Sequence, residues 1–321
     1  MIDVNWPEEV LECPVWDELL DLVTVGRKHM QTAIEEFVGY CLSGASYDRF
    51  NKFLILDGGG SNGKSTLIRV IRDLIGGDNC SYVSLESITK ERFAAFSLVN
   101  KLVNFCSEEP KEAFANTGAI KKITGGDAIM VEEKHKGAFG YENIAKLVIS
   151  YNKMPFFPDD STGMKRRIIL IPCDMNFEEQ PNKKIEKPEK RIRDHEQPAV
   201  LRRCIEAYRK VIERGEFTSV EEGTQRVEEM VVESDPVKKF ITEHVVKAEP
   251  NFYVSTNLIW EWFKEFQGGN TKHIRSNFMT SFGMRVKKMH NCKAIKEGSQ
   301  RGYLGIRIEG LSERSEPRVR F

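Results

Sequence analysis

Apolar positions change their period several times along this chain. Between about residues 14 and 44, Leu19, Leu20, Leu22 and Val23, then Ile34, Phe37, Val38, Cys41 and Leu42, recur at helical spacing and predict a helical segment. The run KFLILDGGG that follows is continuous and ends in glycines, which predicts a strand buried on both faces that feeds a turn. A helix is expected next, from near Lys64 to near Gly76-Gly77. The short runs SYVSL (81–85), KLVNFC (101–106), AKLVIS (145–150) and RRIILIP (166–172) predict further buried strands between helical or loop stretches. This alternation is that of an α/β domain with a largely parallel central sheet.

Beyond Pro172 the pattern dissolves into NFEEQPNKKIEKPEKRIRDHEQP, charged and rich in proline, which predicts an exposed connection. A helix from about Ala199 to Arg214 carries Val200, Leu201, Cys204, Ile205, Tyr208 and Ile212 on one face. After Glu233-Ser234-Asp235-Pro236 come three helical patterns, at about 236–246, 255–266 and 271–289, and two strand-like runs around the Gly298–Gly302 turn. Three helices followed by a β-hairpin outline a winged helix-turn-helix. The expected division is therefore a helical collar or adaptor at 1–48, a core at 49–232 and a winged-helix-like domain at 233–321.

Composition narrows the function classes. With 40% hydrophobic and 30% charged residues the 321-residue chain is of globular type, and no apolar run approaches the ~20 residues needed to span a bilayer. Its start is acidic and broken by Pro7 and Pro14, unlike a secretory signal, and the seven cysteines are scattered without metal-ligand spacing. A cytoplasmic location is expected, without disulfides or zinc. Net charge is zero but unevenly placed: residues 1–50 hold ten Asp and Glu against three Lys and Arg, and residues 271–321 hold twelve Lys and Arg against four Asp and Glu. Contact with nucleic acid must be local.

The sharpest motif is Gly58-Gly59-Gly60-Ser61-Asn62-Gly63-Lys64-Ser65-Thr66. Between a strand and a helix, such glycines let backbone N–H groups close around phosphates at the positive end of the helix. Lys64 is expected at the β and γ phosphates of ATP and the Ser65 hydroxyl at Mg²⁺. KLVNFC then delivers Ser107-Glu108-Glu109 at the edge where open α/β sheets place their sites. One carboxylate there, Glu108 in the metal-holding assignment, can hold the Mg²⁺ hydration shell while the other polarises the attacking water. A solvated acidic loop is the bland alternative. AIKKITGGDAIMVEEKHKGAF offers a Gly-Gly-Asp turn and two β-compatible arms around Lys134-His135-Lys136. AKLVISYNKMP ends at Asn152, a polar side chain placed to orient water against the γ-phosphate. DDSTGMKRRIILIP sets Arg166 and Arg167 at a strand entrance, where one could act as an arginine finger.

Together these motifs resemble the superfamily 3 DNA helicases, in particular the phage and plasmid primase-helicase branch with its poxvirus-type relative. The resemblance rests on GGGSNGKS, SEE, KKITGGD with its downstream lysines, YNKMP, DSTGMKRR and SDPVKKFI, and covers about residues 30–310. It implies an AAA+-like core in a homo-oligomeric ring, usually a hexamer, that moves 3′ to 5′ on single-stranded DNA and opens forked DNA. ATP would lie between subunits, with Lys64, Ser65, Glu108, Glu109 and Asn152 on one side and an arginine from the neighbour on the other. Lys134, His135 and Lys136 fall on a hairpin that lines the channel, where phosphate contacts would be insensitive to sequence. Such proteins often carry an N-terminal primase or polymerase part. No carboxylate cluster for nucleotide transfer precedes residue 50, so the chain is either a portion of a larger replication protein, phage-encoded and in the host cytoplasm, or a stand-alone helicase.

A second class remains open: an origin-binding initiator or loader whose ATPase only controls assembly. Lys272, His273, Arg275, Arg285, Lys287 and Lys288 could lie in a major groove, although Ile274, Phe278, Phe282, Met284 and Met289 also make that helix a competent core element. A small-molecule kinase would leave the hairpin and the basic C-terminal region without a role.

Overall fold

The computed structural model describes residues 12–47, 49–107, 116–153, 155, 157, 159, 161–183, 185–269, 273–297 and 300–310. The chain divides into two compact units between Val231 and Val232.

The first unit opens with two helices, α1 (Pro14–Thr24) and α2 (Lys28–Leu42), where the apolar pattern predicts one helical segment. Val25 and Gly26 adopt left-handed backbone, and Gly26 N–H returns to Asp21 O at 2.8 Å, ending α1. Then follow β1 (Phe53–Asp57), α3 (Lys64–Ile75), β2 (Cys80–Ser81), α4 (Leu85–Lys90), β3 (Val103–Cys106), α5 (Thr117–Ile123), β4 (Ala128–Glu132), β5 (Ala138–Glu142), β6 (Lys146–Tyr151), α6 (Thr162–Lys165), β7 (Ile168–Pro172), α7 (Pro188–Arg191), α8 (Gln197–Arg214) and α9 (Glu221–Ser234).

Five strands form one parallel sheet in the order β2-β3-β6-β1-β7. Because successive side chains of a strand point to opposite faces, β1 feeds two cores. Leu54 and Leu56 join α1, α2, α3 and α8 on one face. Phe53 and Ile55 join α5 and the apolar side of α9, Val227, Met230 and Val231, on the other. α2 and α8 approach so closely that a Cβ at Gly39 would lie 2.1 Å from Cys204 O. β4 and β5 form a separate antiparallel hairpin.

Two expectations are corrected. The strand at 81–85 stops after Ser81, because the Asn104 side chain takes over the pairing: it donates to Val83 O at 2.8 Å and accepts from Val83 N–H at 2.9 Å. Ser84 then caps α4 by accepting from Ser87 N–H. The charged stretch after Pro172 is more than a connection. It coils into α7 and a π-helical turn (Ile192–Glu196) that buries Ile192 and Glu196. The Glu196 carboxylate accepts from the Val15 and Trp16 amides, both at 3.0 Å, supplying an anionic cap for α1 where Cys13 offers no side-chain bond.

The second unit contains α10 (Pro236–His244), β8 (Val245–Lys247), β9 (Tyr253–Ser255), α11 (Thr256–Phe266), α12 (Arg275–His290), β10 (Lys293–Glu297), β11 (Gln300–Leu304) and β12 (Ile306–Ile308). β10, β11 and β9 form an antiparallel sheet, and β12 pairs with β8. Phe240, Phe263, Phe278 and Phe282 fill its core, with Phe263 and Phe278 stacked at 4.1 Å. No helix among the described residues is long and apolar enough to cross a membrane.

Candidate functional site

β1 ends at Asp57, and the chain turns through residues 58–63 before α3 starts at Lys64. Gly60, Ser61 and Gly63 have positive φ, so the loop winds tightly in front of the helix N-terminus, whose first amides lack intrahelical partners. The loop is pinned to the end of β7: Asn62 Nδ2 donates to Cys173 O at 3.0 Å, Phe177 N–H to Ser61 O at 2.8 Å and Cys173 N–H to Asp57 O at 2.7 Å. At Gly58 a Cβ would lie 2.1 Å from Asn62 Nδ2 and 2.6 Å from Cys173 O, which leaves no room for a side chain. Lys64 is 5% exposed, and its Nζ donates to Gly58 O at 2.6 Å and Asn62 Oδ1 at 3.0 Å. Burial pushes its ammonium pKa down.

Because the sheet is parallel, the ends of β1, β3 and β6 fall on one edge. Gly60 to Thr66, Ser107 and Asn152 accordingly line one cavity of about 610 Å³. Glu108 and Glu109 follow Ser107 directly but lie outside the described residues. The cavity joins a lysine, hydroxyls and helix-terminal amides, a set suited to an anion. Gly58 and Gly59 line a neighbouring cavity with Asp57, Asp174 and Arg226.

Arg166 and Arg167 sit at the opposite edge, before the first residue of β7. Arg166 is exposed, and with Arg49, Lys52 and Lys165 it lines another cavity, of about 700 Å³. Lys52 Nζ donates to Arg166 O at 2.7 Å, and burial, then the Arg166 charge, hold the Lys52 pKa down. Arg167 is half-buried and bonded to Gly163 O, with its pKa lowered first by burial and then by Arg166. Lys134, His135 and Lys136 occupy the exposed tip between β4 and β5, where His135 has positive φ and Lys136 pairs with Glu133 at 2.9 Å. The hairpin is fastened at both ends: Arg92 forks onto Glu132 next to the tip, and Asn100 N–H donates to Tyr141 Oη at 2.9 Å nearer the base.

Sequence reasoning missed Lys52 and the pair between Asp57 and Arg226. Arg226 Nε of α9 lies 2.9 Å from Asp57 Oδ2, at the root of the loop. Burial raises the Asp57 pKa, opposed by Arg226 and Lys64. The one signal was an Asp closing an otherwise apolar run. In the second unit Lys287 and Lys288 are exposed, but Arg285 is engaged by Asp235 at 2.5 Å, His273 lies against Phe263 and Arg275 bonds Asn257. Lys272 lies outside the described residues. Among the described residues no cluster of three His, Cys, Asp or Glu could hold a metal ion.

A family model described as a family of unknown function, DUF5906, matches residues 56–167, a span that opens at the end of β1 and closes on Arg167. Over 157 residues the chain is 29% identical to "Putative helicase L207/L206" of Acanthamoeba polyphaga mimivirus. That match spans 47% of this chain and 16% of the viral protein. The A-form apo structure of the NrS-1 C-terminal region is similar at a TM-score of 0.59 and 13% identity, covering 95% of this chain and 78% of that one. A second apo structure of that region gives 0.54 at 14% identity with the same coverage. At these identities the likeness to the NrS-1 region is one of fold.

Proposed function

We propose that this chain is an ATP-dependent DNA helicase of the superfamily 3 type. The observation that carries the reading is the single cavity in which Lys64 and Ser65 meet Ser107 from β3 and Asn152 from β6. The partners of Lys64 are neutral oxygens, which a triphosphate would displace by offering charged ones. Asn152 would orient water at the γ-phosphate, and of Glu108 and Glu109 one would polarise that water. Ser65, exposed to the cavity beside buried Lys64, fits a hard cation held by few protein oxygens, so Mg²⁺ would be held by Ser65 and Glu108. When bound, it neutralises charge building on the phosphates.

Arg166 is our choice of finger over Arg167, because Arg166 is exposed while Arg167 is tied to Gly163 O. At the far edge of the sheet it would complete a site on the next copy of an AAA+-like ring, a hexamer in this reading, with Lys134, His135 and Lys136 toward single-stranded DNA. Movement would be 3′ to 5′. The second unit, with three helices and an antiparallel hairpin, would act as a winged helix. The setting is phage or plasmid replication in the host cytoplasm, beside a primase or polymerase part of the same protein; the mimivirus helicase is a relative consistent with a replicative role.

The test is strand displacement on forked DNA with ATP and Mg²⁺. Displacement that stops in Lys64→Ala is expected. ATP hydrolysis and DNA binding without displacement would instead favour the initiator reading, for which the exposed Lys287 and Lys288 of α12 are the supporting observation.

A further inference from the structure

The cavity around Lys64 extends beyond the phosphate loop. The rest of its lining includes Leu19 and Leu22 of α1, Ile68 of α3, and Phe177, Ile185 and Pro188 from the chain leading from β7 into α7. α1, α3 and α7 pack against one another, so these apolar side chains converge. Phe177 is fixed to the loop through its N–H bond to Ser61 O, and its ring would lie 3.5 Å from a Cβ at Gly63. A cavity of about 610 Å³ is within the range that houses a small ligand whole.

The arginines beside this apolar wall are already engaged. Arg69 donates to Thr66 Oγ1 at 3.1 Å and lies 3.6 Å from Glu189, and Arg72 forks onto Asp73 at 2.6 and 2.9 Å. Among the described lining residues there is no carboxylate, and the amides are Asn62, bonded to Lys64 and Cys173 O, and Asn152 at the end of β6. The hydroxyls of Tyr82, Ser107 and Ser150 also line the cavity, but a hydroxyl can both donate and accept and so favours neither purine edge, while flat apolar area is rewarded in proportion to its burial.

We infer that the base and ribose of the nucleotide lie between α1 and the 177–188 chain, gripped by apolar contact through Leu22, Ile68, Phe177 and Ile185. Selectivity then follows ring area: purines over pyrimidines, with adenine and guanine alike. This rests on the reading of the loop as a nucleoside triphosphate site.

The test measures KM for ATP, GTP, CTP and UTP with the intact chain, and inhibition by inorganic tripolyphosphate, which has no base. ATP and GTP are expected within about threefold of each other, and CTP and UTP about three- to tenfold weaker. Leu22→Glu and Ile185→Glu, on two separate elements, should each raise KM for every nucleotide about tenfold while tripolyphosphate inhibits as before, which also shows an intact loop. A preference for ATP over GTP beyond tenfold, equal KM for all four bases, or nucleotide KM values unmoved in both variants would overturn the slot. Failure to hydrolyse any nucleotide would instead remove the helicase reading, and the slot with it.

Discussion

The two edges of the five-stranded sheet hold their cations in opposite circumstances. At the edge where β1 ends, Lys64 is buried and spent on its own loop, bonded to Gly58 O and Asn62 Oδ1. At the edge where β7 begins, Arg166 is exposed, with Lys52 held against its carbonyl. The five residues of β7 separate these edges by about 16 Å at roughly 3.3 Å per residue, more than a guanidinium can reach. A cation at the far edge therefore cannot serve the glycine-rich loop of its own chain. It can serve that of a second copy.

Breaking either edge should be nearly as damaging as breaking both. Lys64→Ala and Arg166→Ala are each expected to lower ATP hydrolysis by on the order of 10³, the first through lost phosphate contact and the second through lost charge stabilisation. Mixing the two proteins sharpens the contrast, because some interfaces would pair an intact loop with an intact arginine and recover part of the rate. Mixtures that exchange subunits yet stay inactive, with Arg167→Ala as well as Arg166→Ala, would show that the far edge is not catalytic.

A smaller effect is expected away from both edges. Neutralising Lys134 and Lys136 together should weaken single-stranded DNA binding about tenfold for every sequence and reduce the salt slope by about 1.4, roughly 0.7 for each lysine. Titrations at several salt concentrations check this, and an unchanged slope would make the tip a solvated turn.

The smallest effect concerns the chain between β6 and β7. Burial pushes the Asp159 pKa up, but bonds from Lys121, Ser161 and Thr117 outweigh it and hold the carboxyl well below its ordinary 3.8. Since the folded value is the lower one, this stabilisation is complete above about pH 4 and fades as pH falls through the folded pKa. Asp159→Asn should cost about 1 kcal/mol at pH 7 after screening, and the cost should shrink in acid. Urea melts at pH 7 and pH 3 measure it; an equal loss at both would assign the effect to packing.

What the sequence could reveal depended on how local each determinant is. The loop between β1 and α3 was legible because glycines, lysine and serine act within nine residues, and the α3 boundary followed from Gly76. The longer strands were legible as continuous apolar runs. β2 was not: its shortening depends on the Asn104 side chain, twenty-one residues from the Val83 backbone it bonds. Nor could spacing reveal that Arg226 would meet Asp57, which the packing of α9 against β7 sets, or that Lys52 would lie against Arg166, which the parallel pairing of β1 and β7 sets. Arg285 shows the converse, a basic residue placed on a candidate DNA face that the fold spends on capping residue Asp235.

The cap on α1 also sets a timetable. Glu196 follows Val15 by 181 residues, so during synthesis the first helix emerges long before the carboxylate that accepts its leading amides. At about 5–20 residues per second that interval is on the order of 10–35 s. Through it, Leu19, Leu20 and Val23, buried in the finished core, have neither α8 nor the late strand β7 to pack against. The nascent chain thus carries the apolar side of α1 incompletely covered for many seconds, which makes α1 a segment where chaperone engagement or early aggregation would begin.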